Sequence, residues 1–192
     1  MAKARPITGL DAHAPVARNA RLIAKTRLEE LYSWERYVDN PYNISELHNL
    51  RIAAKRLRYT FEVFEEVLPA AGKEVVDELT RIQDELGALH DSDVIIGLLR
   101  LCLPSQDSGA APELHIDSKQ AQNKGKSLVP IELAEHLLDP SVAPTAEQRY
   151  GLEQLLQNQE QLREQQYTAF RQHWYQLQAR DFRREILAIL NE

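Results

Sequence analysis

The sequence predicts an all-α fold, an antiparallel bundle of about five to six helices, and three observations carry that expectation. Apolar residues recur at spacings of three and four along most of the chain. No stretch alternates apolar and polar residues as a half-buried strand does. Seven glycines and 7% aromatic residues leave little material for a many-turned β-sandwich. The 192 residues suffice for one globular domain, or two small ones, with a core of useful size; 43% apolar and 27% charged residues are ordinary values for a chain that folds in water.

The elements follow in order. Between positions 15 and 38 the residues Ala20, Ile23, Ala24, Leu28, Leu31, Trp34 and Val38 form one stripe that ends at Asn40-Pro41, so a first helix is expected there. Ser45 offers an N-cap to a second helix on Leu50, Ala53, Ala54, Leu57, Phe61, Phe64 and Leu68, stopped by Pro69 and Gly72. A third helix is expected over 73–89 on Val75, Val76, Leu79, Ile82 and Leu86. A fourth follows Asp91, whose carboxylate can cap it, as far as 103. Short joints between the four predict antiparallel neighbours. Residues 104–143, with their prolines, serines and the stretch SKQAQNKGKS, read as a long mobile connection with a short helix at 130–138. Thr145 and Gln148 have the spacing of a capping box, ahead of a long amphipathic helix on Leu152, Leu155, Leu156, Leu162, Tyr167, Phe170, Trp174 and Leu177. A last helix over 181–190 docks through Phe182, Ile186, Leu187 and Leu190. The expected organisation is one helical domain over 14–190: a four-helix part at 14–103, the connection at 104–143, and carboxyl-terminal helices at 144–190. These stripes are expected to pack a core, and no cofactor or resident metal is expected.

Charge is segregated along the chain. The net value is −6, yet residues 1–58 hold 11 Lys/Arg against 6 Asp/Glu, and residues 59–192 hold 12 against 23. A basic amino-terminal part on an acidic chain argues for a local anion site rather than a general affinity for nucleic acid. The single cysteine, Cys102, cannot form an intrachain disulfide, which points to a reducing, cytoplasmic setting. MAKARPITGLDAHAP lacks the apolar stretch of a secretory signal. The most apolar run, 94–103, is interrupted by Arg100 and falls far short of a bilayer span, so no membrane partner is expected.

The second helix carries the informative constellation. Advancing 100° per residue from His48 places Arg51 at about −60°, Lys55 at about −20° and Arg58 at about −80°, with the apolar stripe centred near 180°. Arg56 flanks the row at about +80°. The row is about 15 Å long, enough to engage several phosphates of an extended polyanion. A solvated charged face is the ordinary reading of such a row. The order of charges opposes that reading: the helix macrodipole favours acids first and bases last, whereas here the bases come first and Glu62, Glu65 and Glu66 follow. Like charges at i, i+3 and i+4 add about 0.2–0.5 kcal/mol of repulsion per pair, which a bound anion would relieve. Arg58 and Glu62, at i and i+4, recover part of it. On the first helix Arg18, Arg21, Lys25 and Arg36 fall within about 60° of one another, and antiparallel packing is expected to set the two rows along one groove. Arg149 and Arg163 lie near the apolar arc of the long carboxyl-terminal helix, as buried ion-pair partners or as further groove donors.

The segment ELHNLRIAAKRLRYTFEVF at 46–64 resembles the signature helix of the CHAD family, the conserved histidine α-helical domains, with the pattern H-x-x-R-x-x-x-K/R-R-x-R. His48, Arg51, Lys55, Arg56 and Arg58 each match it. LGALHDSDV at 86–94 is similar to that family's second motif, LG-x-x-R/H-D-x-D-V. The likeness covers 14–103 and extends loosely over 145–190. It implies an all-helical domain that binds inorganic polyphosphate through a basic surface without chemistry, in association with polyphosphate granules or polyphosphate-metabolising enzymes. The binding residues expected are His48, Arg51, Lys55, Arg56 and Arg58, joined by Arg18, Arg21 and Lys25 of the first helix. His48 stands near the start of its helix, where the dipole disfavours the imidazolium and a bound phosphate favours it, so binding is expected to tighten as pH falls. The family usually carries its histidine and arginine motif twice, and no second copy follows residue 104. A homodimer is the expected way to restore the missing basic wall.

Two other classes compete. His90-Asp91 with His48 and Asp93 outlines a metal-dependent phosphohydrolase of the HD type, although an HD pair is common by chance and Asp91 has a sufficient task as a cap. A helical adaptor would use the same groove for an acidic protein or for nucleic acid. Aromatic residues do not interleave the basic row, which makes single-stranded nucleic acid the poorer fit.

Overall fold

The computed structural model describes residues 3–103 and 144–191. Among the described residues five α-helices follow one another: α1 Val16–Tyr32, α2 Ile44–Val63, α3 Gly72–Cys102, α4 Ala146–Ala179 and α5 Phe182–Ile189, with a 3-10 turn at Glu35–Tyr37 between the first two. No strand occurs among the described residues, and the fold is the all-α helical bundle that the apolar spacing predicts. The connection expected at 104–143 and the short helix at 130–138 lie outside the described residues. The chain divides into two compact units, and their described residues are 3–89 with 166–191 for the larger and 90–103 with 144–165 for the smaller.

In the larger unit, Ala20, Ala24, Leu28 and Leu31 of α1 meet Leu47, Leu50, Ala53, Ala54, Leu57 and Phe61 of α2, none more than 3% exposed. Two alanines on each helix let the backbones approach closely. Val75, Leu79, Ile82, Leu86 and Leu89 of α3, with Phe170, Trp174 and Leu177 of α4, complete the core, and Phe182, Ile186 and Leu190 close it. Each fully buried leucine-sized side chain contributes about 1.5–3 kcal/mol. The buried His173 of α4 sets the direction of its helix against α3. Its Nδ1 lies 2.7 Å from Glu85 and its Nε2 3.0 Å from Glu78, and Glu78 also meets Arg180. Numbers rise along α4 as they fall along α3, so the two run antiparallel. α5 runs antiparallel to α1: Arg183 lies over the Tyr32 ring, and Lys25 donates to Asn191 Oδ1 at 2.6 Å.

In the smaller unit, Asp93 of α3 pairs with Arg163 of α4, and Arg100 meets Glu160 at 2.7 Å. Burial raises the Asp93 pKa above its ordinary value, with the hydrogen bond from Arg163 opposing the shift. Of the two roles open to Arg163, the structure shows the ion pair. Leu155 and Leu162 are 44% and 41% exposed, so the amino-terminal stretch of the α4 stripe is only partly buried.

Several boundaries differ from expectation, each for a local reason. The first helix stops at Tyr32, where Ser33 Oγ donates to the Glu30 carbonyl and the 3-10 turn takes over. The segment beyond it is held by α4: the Tyr167 hydroxyl donates to the Val38 carbonyl at 2.8 Å, and Arg171 and Tyr175 both donate to Asp39. Those two bonds, Tyr175 first, hold the Asp39 carboxyl below its ordinary pKa. Asn43, not Ser45, stands at the N-cap of α2, and Ser45 is already helical. That helix ends at Val63 rather than Leu68, and Gly72 opens α3 instead of closing α2. A Cβ at Gly72 would come within 2.9 Å of the Phe61 ring, so only glycine admits this approach. The expected third and fourth helices are one, because no proline interrupts 72–102 and Asp91 stays within the helix instead of capping a new one. The capping box is present as predicted, with Thr145 N–H donating to Gln148 Oε1 at 2.9 Å and Gln148 N–H to Thr145 Oγ1 at 3.3 Å.

Candidate anion-binding site

The outward face of α2 carries His48, Arg51, Lys55 and Arg58, and the structure gives the four different surroundings. Arg51 is half-buried, with its guanidinium laid against α3 at Gly87; a Cβ built there would stand 3.5 Å from Arg51 Nε. A glycine inside a helix costs about 0.5–1 kcal/mol relative to alanine, and here the missing side chain is the floor on which Arg51 rests. Lys55 is exposed, and its Nζ lies over the ring of Tyr59, 5.4 Å from the centroid. Arg58 lies over the same ring at 4.9 Å and pairs with Glu62 at 3.0 Å, the i, i+4 pair expected from sequence. His48 is half-buried on the same face.

Arg56 turns the other way. Its guanidinium meets Glu30 of α1, a glutamate only 3% exposed, which also accepts from Arg27 at 2.7 Å. Two arginines therefore share one buried carboxylate at the α1–α2 seam, and the charge of Arg56 is already engaged. Arg51 lies beside Gly87 of α3, and Lys25 of α1 donates to Asn191, just past α5. Arg36 leaves the α1 row altogether: it sits in the 3-10 turn and donates to the Tyr37 hydroxyl. Arg18 is exposed and Arg21 half-buried. Among the described residues, no carboxylate lies within ion-pair distance of Arg18, Arg21, Arg51 or Lys55.

Arg51 against Gly87 joins the first sequence motif to the second in space, and the family model of the CHAD domain matches residues 3–100, a little over half of the chain. The chain belongs to the CHAD family. No curated protein and no solved structure matches it. CHAD domains bind polyphosphate and are generally non-catalytic modules. Among the described residues of this CHAD chain, no group of three or more His, Cys, Asp and Glu side chains stands ready to hold a metal. Among those residues no helix is long and apolar enough to cross a membrane.

Three residues that hold the cations of α2 in place were not singled out from sequence. Glu30 was one acid among several and gave no signal until its burial was known. Gly87 lies within the second motif but has a role only once α3 packs against α2. Tyr59 was legible: the same 100° advance puts it at about +20°, inside the basic arc, so an aromatic residue does stand in the row.

Proposed function

We propose that this CHAD chain binds inorganic polyphosphate without chemistry, along the outward row of α2. Arg51 and Lys55 are the principal donors and His48 and Arg58 their neighbours; Arg56 acts mainly by holding the helix pair together. Arg18, Arg21 and Lys25 of α1 join them as donors to a long chain. The observation that carries this reading is the contrast within one helix. Arg56 has a buried carboxylate, whereas Arg51 and Lys55, pointing outward, have none within ion-pair distance among the described residues. Charge-assisted hydrogen bonds to non-bridging phosphate oxygens satisfy such groups, the guanidinium as a fork and the ammonium as a point charge.

Calorimetric titration with long-chain polyphosphate tests the assignment, with pyrophosphate and single-stranded DNA as competitors. An Arg51→Ala, Lys55→Ala double variant is expected to lose at least tenfold in affinity, and equal affinity removes the assignment. A second copy of the chain would supply the basic row that duplicated family members carry. Light scattering with polyphosphate present is expected to report a dimer, and monomer throughout eliminates that part.

A further inference from the structure

We propose that Tyr59 is a positioning residue for the polyphosphate site, its ring gathering the Lys55 and Arg58 head groups into one preset cationic pair; this rests on the polyphosphate reading above. Tyr59 is 45% exposed on the solvent face of α2, so its ring does little for the core. Lys55 Nζ and Arg58 Cζ both lie over it, at 5.4 and 4.9 Å from the centroid. Two like charges one turn apart repel, and the flexible lysine stem would otherwise scatter its charge over many rotamers. The negative face of an aromatic ring attracts both heads without carrying a formal charge. That separates Tyr59 from Glu30, which holds Arg56 by cancelling its charge. A carboxylate at position 59 would hold the cations and also repel the ligand, whereas the phenol ring holds them and adds no negative charge to that of Glu62, which pairs with Arg58. An arriving polyanion then meets donors already gathered, and the cost of ordering them on binding falls. With cations over the ring, its π-surface is engaged, which favours a phosphate chain over a stacked nucleobase.

The test uses the full chain in three forms: wild type, Tyr59→Phe and Tyr59→Leu. In the free protein, the ring-current shift of the Lys55 ε-methylene protons reads the clamp without any ligand. It is expected in wild type and Tyr59→Phe and absent in Tyr59→Leu; its absence from wild type overturns the proposal whatever the ligand. With long-chain polyphosphate, Tyr59→Phe is expected to bind like wild type and Tyr59→Leu about fivefold more weakly, with unchanged thermal midpoints. Wild-type affinity in Tyr59→Leu, or equal loss in Tyr59→Phe, overturns the role of the ring. Weakened single-stranded DNA binding with unchanged polyphosphate binding overturns it in favour of base stacking. Should wild type show the ring-current shift but no polyphosphate affinity, the ligand assignment fails and the positioning role for that ligand is overturned with it, while the clamp geometry stands.

Discussion

The seam between α1 and α2 and the outward face of α2 are built from the same residue types and behave oppositely. At the seam Arg27 and Arg56 converge on Glu30, whose side chain is 4% exposed, and three formal charges leave a net of one. On the outward face Arg51 rests on Gly87 and Lys55 on Tyr59, surfaces that position a cation without neutralising it. The lesson is that an arginine in a basic motif is not by itself a ligand donor. What touches it decides whether its charge serves the fold or the ligand.

The contrast can be broken most sharply at Glu30. Replacing a buried carboxylate that serves two guanidinium groups removes its charge and turns one acceptor oxygen into a donor facing an arginine, so Glu30→Gln is expected to cost about 3 kcal/mol of stability by urea denaturation. Arg51→Ala and Lys55→Ala are expected to stay within about 0.5 kcal/mol of wild type. Should all three cost the same, seam and face are not different environments. Binding should show the reverse order. Arg56→Met is expected to weaken polyphosphate far less than the tenfold, about 1.4 kcal/mol, anticipated for the outward double variant.

Salt sharpens the comparison next. Each outward cation that engages a phosphate releases counterions, so the slope of log affinity against log salt is expected to flatten by about 0.7 for each of Arg51 and Lys55 removed, by analogy with single-stranded nucleic acid. Titrations at four salt concentrations give that slope, and an unchanged slope in the double variant rules out direct phosphate contact. A smaller effect is expected at Gly87. Its alanine variant meets Arg51 at ordinary contact distance and gains about 0.5–1 kcal/mol of helix stability, whereas valine there displaces Arg51 and lowers affinity. Stabilisation and binding measured on both variants should therefore diverge.

The smallest effect belongs to Asp93, outside both regions. Its pKa is raised in the folded state by burial, so the folded state keeps the proton in the window above the ordinary value of 3.8. That contribution is fully present below the window and is lost as pH rises through the folded value. Asp93→Asn cannot ionise, and the stability difference between variant and wild type is expected to move in favour of the variant as pH rises through that window. Urea midpoints at successive pH values check the sign, and a shift in the opposite direction contradicts it.

The helix class, the core faces and the capping box at Thr145 were legible in the sequence because each depends on contacts within a few residues, where 3.6-residue periodicity and cap chemistry operate. The outward placement of Arg51, Lys55 and Tyr59 follows from the same arithmetic. Tertiary packing decided the rest. Nothing local distinguishes Glu30 from Glu29, yet one is buried between two arginines and the other is exposed. The run through Asp91 reads as a break until its neighbour Asp93 is seen paired with Arg163, and Gly87 reads as a weak point until Arg51 lies on it. The division has one physical cause: periodicity fixes which way a side chain points from its own helix, and only the arrival of a second helix fixes what it meets.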